Sequence, residues 1–553
     1  MNAIHIMRKL NRICKRFVNT EAKCRDRPQW IKPVGHQTEV SIYNLITKCK
    51  VPLILKTQNI LKWYICGPTV YDSAHIGHAT TYIKSDIIRR ILSDYFNIDV
   101  LLVMGITDID DKIIRRSIES GKDFKTLSRH FETEFFADMN KLNIREPYLR
   151  CRVTDYIPQI IQFIEKLIAK GDGYFAPDGS VYFNTSKYNK YGKLSTLVLD
   201  TVNDQNFVGK KSALDFALWK AAKENEPSWK SPWSYGRPGW HIECSGIAST
   251  VFGNSIDIHS GGIDLAFPHH ENEEAQSCCY HDVDQWVNYW LHCGHLSLKG
   301  DVKMSKSLKN TISIQDYLEN YSANNLRMLC LLSHYRNGIE FSDEVIETAV
   351  SVTKKLDNFI NDCDNYVAGK FKTGEIDENL LYTTLHDTRS KVYSALADDF
   401  DTSKAMNAII NLVGIGNKML HQDNVTSRSN NVSVVAAVSN YLSNILSKFG
   451  ISRSTKSTVE NRQIADIIDH FLNFRRTVRI RALEQNPKDT ILLKECDNVR
   501  KCLSTCGIMV KVKILYSCFK IMITYETYII IDCRIRKMMI PAGVGNNNHI
   551  FKK

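Results

Sequence analysis

Apolar residues near the start of the sequence are spaced as in a parallel α/β unit. Residues 62–66 form a short apolar run that predicts a strand, and residues 75–97 carry isoleucines at helical spacing. Val100–Met104 is a continuous apolar run, as expected for a strand buried on both faces. A strand, a helix and a strand in this order form a βαβ unit, which predicts a parallel sheet.

The pattern changes twice further along the chain. Ile157–Ala169 predicts another amphipathic helix, Tyr174–Phe183 a hairpin, and the stretches 255–259 and 290–298 predict further strands. From Ile314 to about Ile508 the spacing is helical almost throughout. The predicted fold class is therefore α/β, a parallel sheet with an inserted region, followed by an all-α domain.

Length and composition limit the class of protein. The chain has 553 residues, 43% of them hydrophobic and 24% charged, which predicts a soluble protein of two or three domains. Its sixteen cysteines include no CxxC pair, which favours a reducing compartment over a disulfide scaffold. Because Lys520 and Glu526 interrupt the most apolar late stretch, 514–531, we predict no membrane span.

The net charge of +12 is concentrated at the two ends of the sequence. Residues 1–20 contain five Lys/Arg and no acid, and residues 513–553 contain seven Lys/Arg against two acids. Ile6, Leu10, Ile13 and Phe17 lie on one helical face of the first segment. This basic, acid-free amphipathic start resembles a mitochondrial transit peptide, with a disordered basic arm as the alternative, and it predicts the mitochondrial matrix as the location.

A pair of histidines precedes the first predicted helix, in the stretch CGPTVYDSAHIGH. His75 and His78 would lie at a helix N-terminus after the first strand, where free N–H groups and the helix dipole favour phosphate. Gly77 would let an adenine ring approach the backbone, which a Cβ would obstruct. Taken alone, such histidines can equally be capping or core residues.

A second motif, KMSKS at residues 303–307, makes the nucleotide interpretation specific. Lys303 and Lys306 on a loop of small residues could move onto a triphosphate and neutralise charge developing at the α-phosphate. The two motifs in this order resemble the HIGH and KMSKS motifs of class I aminoacyl-tRNA synthetases. The resemblance implies a Rossmann-like fold that activates an amino acid with ATP, which enters with Mg²⁺.

Four further residues could hold a metal ion. Cys66 and Cys244 supply thiols, and His269 and Glu273 are four apart, so on a helix they would share one face. Two thiolates, an imidazole and a carboxylate form a plausible zinc set. Each cysteine considered alone is better explained as a buried apolar thiol, but together with the HIGH helix the four predict one zinc ion.

About 450 residues resemble the cysteinyl-tRNA synthetase family, from Trp63 until the likeness ends near Ile508. The stretches that carry the resemblance, in order, are CGPTVYDSAHIGHA, ITDIDDKI, GRPGWHIECS, FPHHENE and KMSKSL. Two positions depart from it: Gly105 replaces a common asparagine, and Lys309 stands where glycine often follows the last motif.

The resemblance implies a role for each matching residue. Cys66, Cys244, His269 and Glu273 match the zinc ligands, and zinc then binds the thiolate of the substrate. Gly67, Thr107, Trp240 and His269 match positions around the bound cysteine. His75, Gly77, His78 and Lys112 match ATP or adenylate contacts, and Lys306 matches the mobile lysine of the transition state. The implied partners are L-cysteine, ATP and tRNA(Cys), and a monomer is expected.

The predicted organisation has four parts. They are a presequence and lead at 1–36, a catalytic domain at 37–313 with an insertion at about 115–235, a helical tRNA- or anticodon-binding domain at 314–510, and a divergent tail at 511–553 that need not be ordered. The main rival function is a cysteine-activating ligase with a small amino-sugar acceptor, against which the helical region counts. A synthetase-like binding protein without activity is disfavoured by the intact motifs.

The presequence prediction can be tested with a reporter fused to residues 1–30. We expect import into the mitochondrial matrix, because a positively charged amphipathic helix is the feature that import recognises. Replacing Arg8, Arg12 and Arg16 with glutamate should abolish import, as measured by fractionation and protease protection. Equal import of the charge-reversed fusion would contradict the prediction.

Overall fold

The computed structural model describes residues 30–194, 209–298, 302–303, 311–370, 375–422, 431–453, 459–505, 513–517 and 520–524. The basic segment 1–20 and Lys306 lie outside these ranges. Within them, no helix is long and apolar enough to cross a membrane.

The described secondary structure begins with strands, and helices predominate after residue 313. The strands are β1 His36–Asn44, β2 Cys49–Leu55, β3 Ile60–Thr69, β4 Asp99–Thr107, β5 Leu149–Arg152, β6 Gly173–Phe175, β7 Val181–Phe183, β8 Phe216–Ala221, β9 Trp229–Lys230, β10 Tyr235–Pro238, β11 Ile256–Gly262, β12 Val287–Cys293, β13 Leu296–Leu298, β14 Val302–Lys303, β15 Ile339–Phe341, β16 Lys513–Ser517 and β17 Lys520–Thr524. The helices are α1 Ile76–Arg90, α2 Asp111–Ser120, α3 Phe124–Lys141, α4 Ile157–Ala169, α5 Trp240–Phe252, α6 Glu271–His281, α7 Ile314–Asn320, α8 Ala323–Leu331, α9 Asp343–Val367, α10 Glu378–Ala397, α11 Thr402–Leu420, α12 Val432–Lys448, α13 Val459–Glu484 and α14 Thr490–Thr505.

A five-stranded parallel sheet forms the centre of the first part of the chain. Its strand order is β12-β11-β3-β4-β5, and every neighbouring pair runs parallel. Leu61, Trp63, Tyr64 and Ile65 of β3 are almost fully buried, as expected for a central strand covered on both faces. The predicted βαβ unit is confirmed, with α1 between β3 and β4.

The strand order creates a switch point between β3 and β11. From β3 the chain adds β4 and β5 on one side, and later adds β11 and β12 on the other side. In open parallel sheets, ligands bind outside the carboxyl ends of the strands at such a point. The carboxyl ends of β3 and β11 are therefore where a site is expected.

The inserted region forms a second, antiparallel sheet. Its order is β6-β7-β8-β10-β9, and β6 and β7 are the predicted hairpin. The helix predicted at Ile157–Ala169 is present with the same bounds and buries Ile160, Phe163, Ile164 and Leu167 at helical spacing.

The chain divides into two compact units. The first comprises Met1–Asp357, Thr383–Leu412 and Tyr441–Ser452, and the second Asn358–Tyr382, Val413–Asn440 and Arg453–Lys553. Within the second unit, Phe359, Cys363, Met419 and Val435 are buried. In that unit β16 and β17 pair as an antiparallel hairpin within the predicted tail.

A buried ion cluster explains why residues beyond 313 belong to the first unit. The carboxylate of Asp86 on α1 accepts from Arg90 at 2.7 Å and from Arg327 on α8 at 2.6 Å. Arg327 also donates to the carbonyls of Leu142, Asn143 and Phe449. One guanidinium therefore joins α1, α8, the end of α3 and the end of α12.

We expect Asp86→Ala to lower the free energy of unfolding of this unit by about 3–5 kcal/mol, because two buried guanidinium groups lose their carboxylate. Lys50→Ala is the control, since its ion pair with Asp398 is partly exposed and should contribute no more than about 1 kcal/mol. All eight tryptophans lie in the first unit, so urea unfolding followed by tryptophan fluorescence measures it. Equal effects of the two substitutions would contradict this account.

Candidate active site

The sequence-predicted residues meet at the carboxyl edge of the central sheet. Cys66 and Gly67 lie near the end of β3, Thr107 at the end of β4, and α1 starts shortly after β3. A Cβ on Gly67 would lie 2.2 Å from the carbonyl oxygen of Gly105. Glycine is therefore required for β3 and β4 to approach each other at this point.

Four donor atoms converge in a buried cluster. One donor atom each from Cys66, Cys244, His269 and Glu273 lies within 4.8 Å of every other. The Sγ atoms of Cys66 and Cys244 are 3.8 Å apart, and His269 Nε2 is 3.0 Å from Glu273 Oε1. Two sulfurs bound tetrahedrally to one zinc at ~2.3 Å lie roughly 3.8 Å apart. The cluster thus has the dimensions of a metal site.

Four elements supply these donors. Cys66 is on β3, Cys244 is in the first turns of α5, and Glu273 is in the first turn of α6. His269 lies in a π-helical turn, Ala266–His270, that runs into α6, and the i,i+4 spacing of His269 and Glu273 brings their side chains together. Cys66 and Cys244 are far apart in the sequence. They meet because α5 leads into β11, and β11 pairs with β3.

The charges in the cluster are strongly coupled. Burial and the neighbouring Cys244 raise the pKa of the Cys66 thiol, whereas the hydrogen bond with Cys66 lowers the pKa of Cys244 to about 6. Burial opposes ionisation of Glu273, but the imidazoles of His259 and His269 lower its pKa to about 2. Burial likewise opposes protonation of His269, but Glu273 and Cys244 raise its pKa to about 10. The cluster therefore carries negative charge. A divalent cation could compensate for this charge in place of the bound proton.

Four further histidines next to the cluster were not predicted as site residues from the sequence. His259 Nε2 is 2.9 Å from Glu273 Oε2, and the Nδ1 atoms of His241 and His269 are 2.9 Å apart. His270 is 3.5 Å from the Cys66 sulfur and 2.8 Å from His292. His241 and His270 stand within the stretches GRPGWHIECS and FPHHENE, which was the available signal for these two, whereas His259 and His292 lie outside the motifs.

Two of these further histidines also create a second possible donor set. One donor atom each from Cys66, His259, His270 and Glu273 likewise lies within 4.8 Å of every other. Cys66 and Glu273 belong to both sets, so the two describe overlapping positions for one ion. The first set has two thiols, the softer ligands that zinc binds well.

The predicted cysteine-binding residues surround the cluster. The Trp240 ring stacks on His269 with centroids 4.3 Å apart, and 43% of Trp240 is exposed. Thr107 donates its hydroxyl to Glu243 at 3.0 Å. Glu243 was not predicted as a site residue, and burial raises its pKa well above the usual value.

The predicted nucleotide residues lie at the start of α1 and α2. His75 is the N-cap of α1: its Nδ1 accepts from Gly77 N at 3.1 Å, and its ring stacks on His78 at 3.7 Å. The capping interpretation and the phosphate interpretation of His75 are compatible, because both place the ring at the helix N-terminus. Lys112 lies in the first turn of α2 with its ammonium 5.5 Å from the centre of the Tyr71 ring.

The structure describes the second lysine motif only in part. The backbone of Lys303 lies in β14 and pairs with Ser297 of β13. Lys306 lies outside the described residues, so its predicted role rests on the sequence.

Comparison with protein families gives one extended match. The model described as tRNA synthetases class I (C) catalytic domain matches residues 53–351. This range contains every predicted ligand to metal, cysteine and ATP.

Comparison with curated proteins gives similar sequences over most of the chain. A probable cysteine–tRNA ligase, mitochondrial, from Xenopus tropicalis is 42% identical over 511 residues, 87% of this chain and 89% of that protein. A cytoplasmic cysteine–tRNA ligase from Dictyostelium discoideum is 39% identical, covering 86% of this chain and 76% of its own length. A cysteine–tRNA ligase from Encephalitozoon cuniculi is also 39% identical, covering 85% and 97%.

Solved structures resemble this one in fold alone. The methionyl-tRNA synthetase of Mycobacterium tuberculosis bound by methionyl-adenylate has a TM-score of 0.54 at 16% identity, covering 69% of this chain and 88% of that one. A leucyl synthetase in a ternary complex from Agrobacterium radiobacter has a TM-score of 0.52 at 11% identity, covering 70% and 84%.

Proposed function

We propose that this chain, which belongs to the cysteine–tRNA ligase family of class I aminoacyl-tRNA synthetases, recognises L-cysteine through a zinc ion bound by Cys66, Cys244, His269 and Glu273. The enzyme activates L-cysteine with ATP and transfers it to tRNA(Cys). The observation that carries the proposal is the buried convergence of these four donors at the switch point of the sheet.

The donor chemistry fits zinc. Two thiols, one imidazole and one carboxylate make a mixed set typical of this metal, and the histidines behind them hold His269 and Glu273 in place. When bound, zinc is a Lewis acid that prefers a thiolate to a hydroxyl group. An apolar pocket alone would reject serine by only roughly 10²-fold. The four residues therefore support selection of cysteine without a separate editing domain.

The remaining residues orient the substrate. Trp240 stacks on His269 and is positioned to cover the side chain of the amino acid. Gly67 and Thr107 lie at the carboxyl ends of the neighbouring strands β3 and β4. With the sulfur held at the cluster, these groups would direct the cysteine carboxylate toward ATP at the start of α1.

Activation consists of one displacement at phosphorus. A carboxylate oxygen of cysteine attacks the α-phosphorus, the bond to the bridging oxygen breaks, and diphosphate leaves. His75 and His78 would bind phosphoryl oxygens at the N-terminus of α1, with Gly77 beside the adenine. Lys112 would contact the adenylate, and Lys303 and Lys306 would stabilise negative charge as the displacement proceeds. Mg²⁺ enters with ATP.

Transfer to tRNA completes the reaction. A hydroxyl of the terminal ribose attacks the carbonyl carbon of the adenylate, and AMP leaves. We assign tRNA binding to the helical region 314–510 and the catalytic chemistry to residues 37–313. We assign neither role to the tail at 511–553. A monomer located in the mitochondrial matrix is proposed, on the basic N-terminal segment and the likeness to a mitochondrial relative.

The zinc proposal predicts the behaviour of Cys66→Ser. A serine hydroxyl is a poor soft-metal ligand. Bound zinc should therefore fall below one per chain, and KM for cysteine should rise, while the affinity for ATP at His75 and His78 stays largely unchanged. Metal analysis and cysteine-dependent ATP–diphosphate exchange measure both effects, and the exchange with serine should become relatively more favourable.

Cys293→Ser is the matched control, because Cys293 is a fully buried thiol at the end of β12 outside both donor sets. It should keep its zinc. Wild-type protein without tightly bound zinc that remains active after chelation would refute the mechanism. Absence of cysteine-dependent exchange would refute the activity itself.

Lys306 is expected to act mainly in the transition state. Lys306→Ala should lower kcat for adenylate formation on the order of 10²–10³-fold with little change in the affinity for cysteine, because its charge is needed when the α-phosphate is attacked. Lys309→Ala in the same loop is the control, and single-turnover kinetics separate the effects. A normal kcat with a raised KM for ATP would contradict this role.

A further inference from the structure

We propose that Glu243 binds the α-ammonium group of L-cysteine, so that the enzyme recognises this group as well as the thiol. The inference rests on the proposed function, because it places the cysteine sulfur at the metal cluster. Glu243 belongs neither to a metal donor set nor to the residues implied by the family resemblance.

Glu243 is a buried carboxylate in direct contact with the predicted substrate site. It lies in the first turn of α5, next to the donor Cys244, with 1% of its surface exposed. Its Oε2 accepts the hydroxyl proton of Thr107 at 3.0 Å. The residue therefore lies between the metal cluster and the end of β4.

Within the described residues, the Glu243 carboxyl group has Thr107 as its one hydrogen-bonding partner. In the part of the chain that the structure describes, no lysine or arginine forms an ion pair with this carboxylate. A buried carboxyl group that no lysine or arginine compensates favours a cationic ligand, so we expect one to bind there.

Other buried carboxylates nearby are compensated by the protein. Glu274 pairs with Lys193, and Asp108 accepts from the backbone and hydroxyl of Thr154. Glu271 accepts from the backbone of Gly192 and Leu194. Each of these carboxylates accepts two or more hydrogen bonds, whereas Glu243 accepts one, from Thr107, in the part of the chain that the structure describes. We infer that a further partner of Glu243 comes with the substrate.

L-Cysteine has the geometry to supply that partner. Its ammonium group is separated from its sulfur by two carbon atoms, and Glu243 and Cys244 are adjacent along α5. Because the Thr107 hydroxyl donates to Glu243, its oxygen keeps a lone pair that can accept from the same ammonium group. Thiol and ammonium would thus be held by neighbouring residues of one helix.

The test compares Glu243→Gln with the wild type against two thiols, L-cysteine and 3-mercaptopropionate, which lacks the ammonium group. Binding to the zinc-loaded full chain is measured by calorimetry. The substitution should weaken the binding of L-cysteine by about 10- to 100-fold, which is the effect of losing a charged hydrogen bond. Binding of 3-mercaptopropionate should change little or improve. Zinc content should stay at the wild-type value.

Asp108→Asn is the matched control, because Asp108 is another buried carboxylate that accepts from a threonine hydroxyl, that of Thr154, and it belongs to neither donor set. It should not change the ratio of the two affinities. If Glu243→Gln does not fold, Glu243→Asp keeps the charge and should keep most of the preference for L-cysteine.

Equal weakening of both thiols, or loss of zinc in the folded variant, would overturn the role of Glu243. Failure of the proposed function is distinguishable: wild-type protein would then bind neither thiol in a zinc-dependent manner.

Discussion

The site depends on keeping metal donors ionised where water cannot solvate them. Glu273 is fully buried, and a carboxylate in that position would normally bind a proton. Its two oxygens instead face His259 and His269, at 2.9 and 3.0 Å, and these imidazoles lower its pKa to about 2. The adjoining thiol of Cys244 is stabilised as thiolate by Cys66 and His269. The surrounding histidines therefore determine whether the cluster can bind a cation, even though they are not all ligands.

The sheet topology explains why this cluster and the nucleotide residues share one cleft. β3 ends at the switch point and carries Cys66, and the next element in the chain is α1, whose N-terminus carries His75 and His78. A helix N-terminus attracts phosphate through its free N–H groups and its dipole. The end of β3 and a short connecting segment thus separate Cys66, the proposed contact for sulfur, from His75, the proposed contact for phosphate. Arg327 and Asp86 hold the other half of α1 in a buried ion cluster, which fixes the direction of the helix.

Much of this arrangement could be predicted from the sequence, because each motif carries its own local chemistry. The strand before His75, the helix after it and the four donors were all predicted, and the structure brings Cys66, Cys244, His269 and Glu273 together. The partners of His259, His241 and Glu243 could not be predicted, since they depend on packing between residues far apart in the sequence. The same holds for Arg327, whose carbonyl acceptors come from two distant loops. Periodicity gave no signal for these contacts.

Selection of cysteine requires two separate contacts, because each possible competitor shares one group with the substrate. Serine has the same ammonium and carboxylate groups and would satisfy Glu243, so the proposed metal must reject it. A thiol without an amino group would satisfy the metal, so only a second contact such as Glu243 can reject it. In this mechanism the start of α5 contributes to both contacts, because it carries Glu243 and Cys244, one of the four metal donors. Two fixed points also define the direction of the third group, the carboxylate, which must face the α-phosphate. Recognition and alignment for attack therefore follow from the same two contacts.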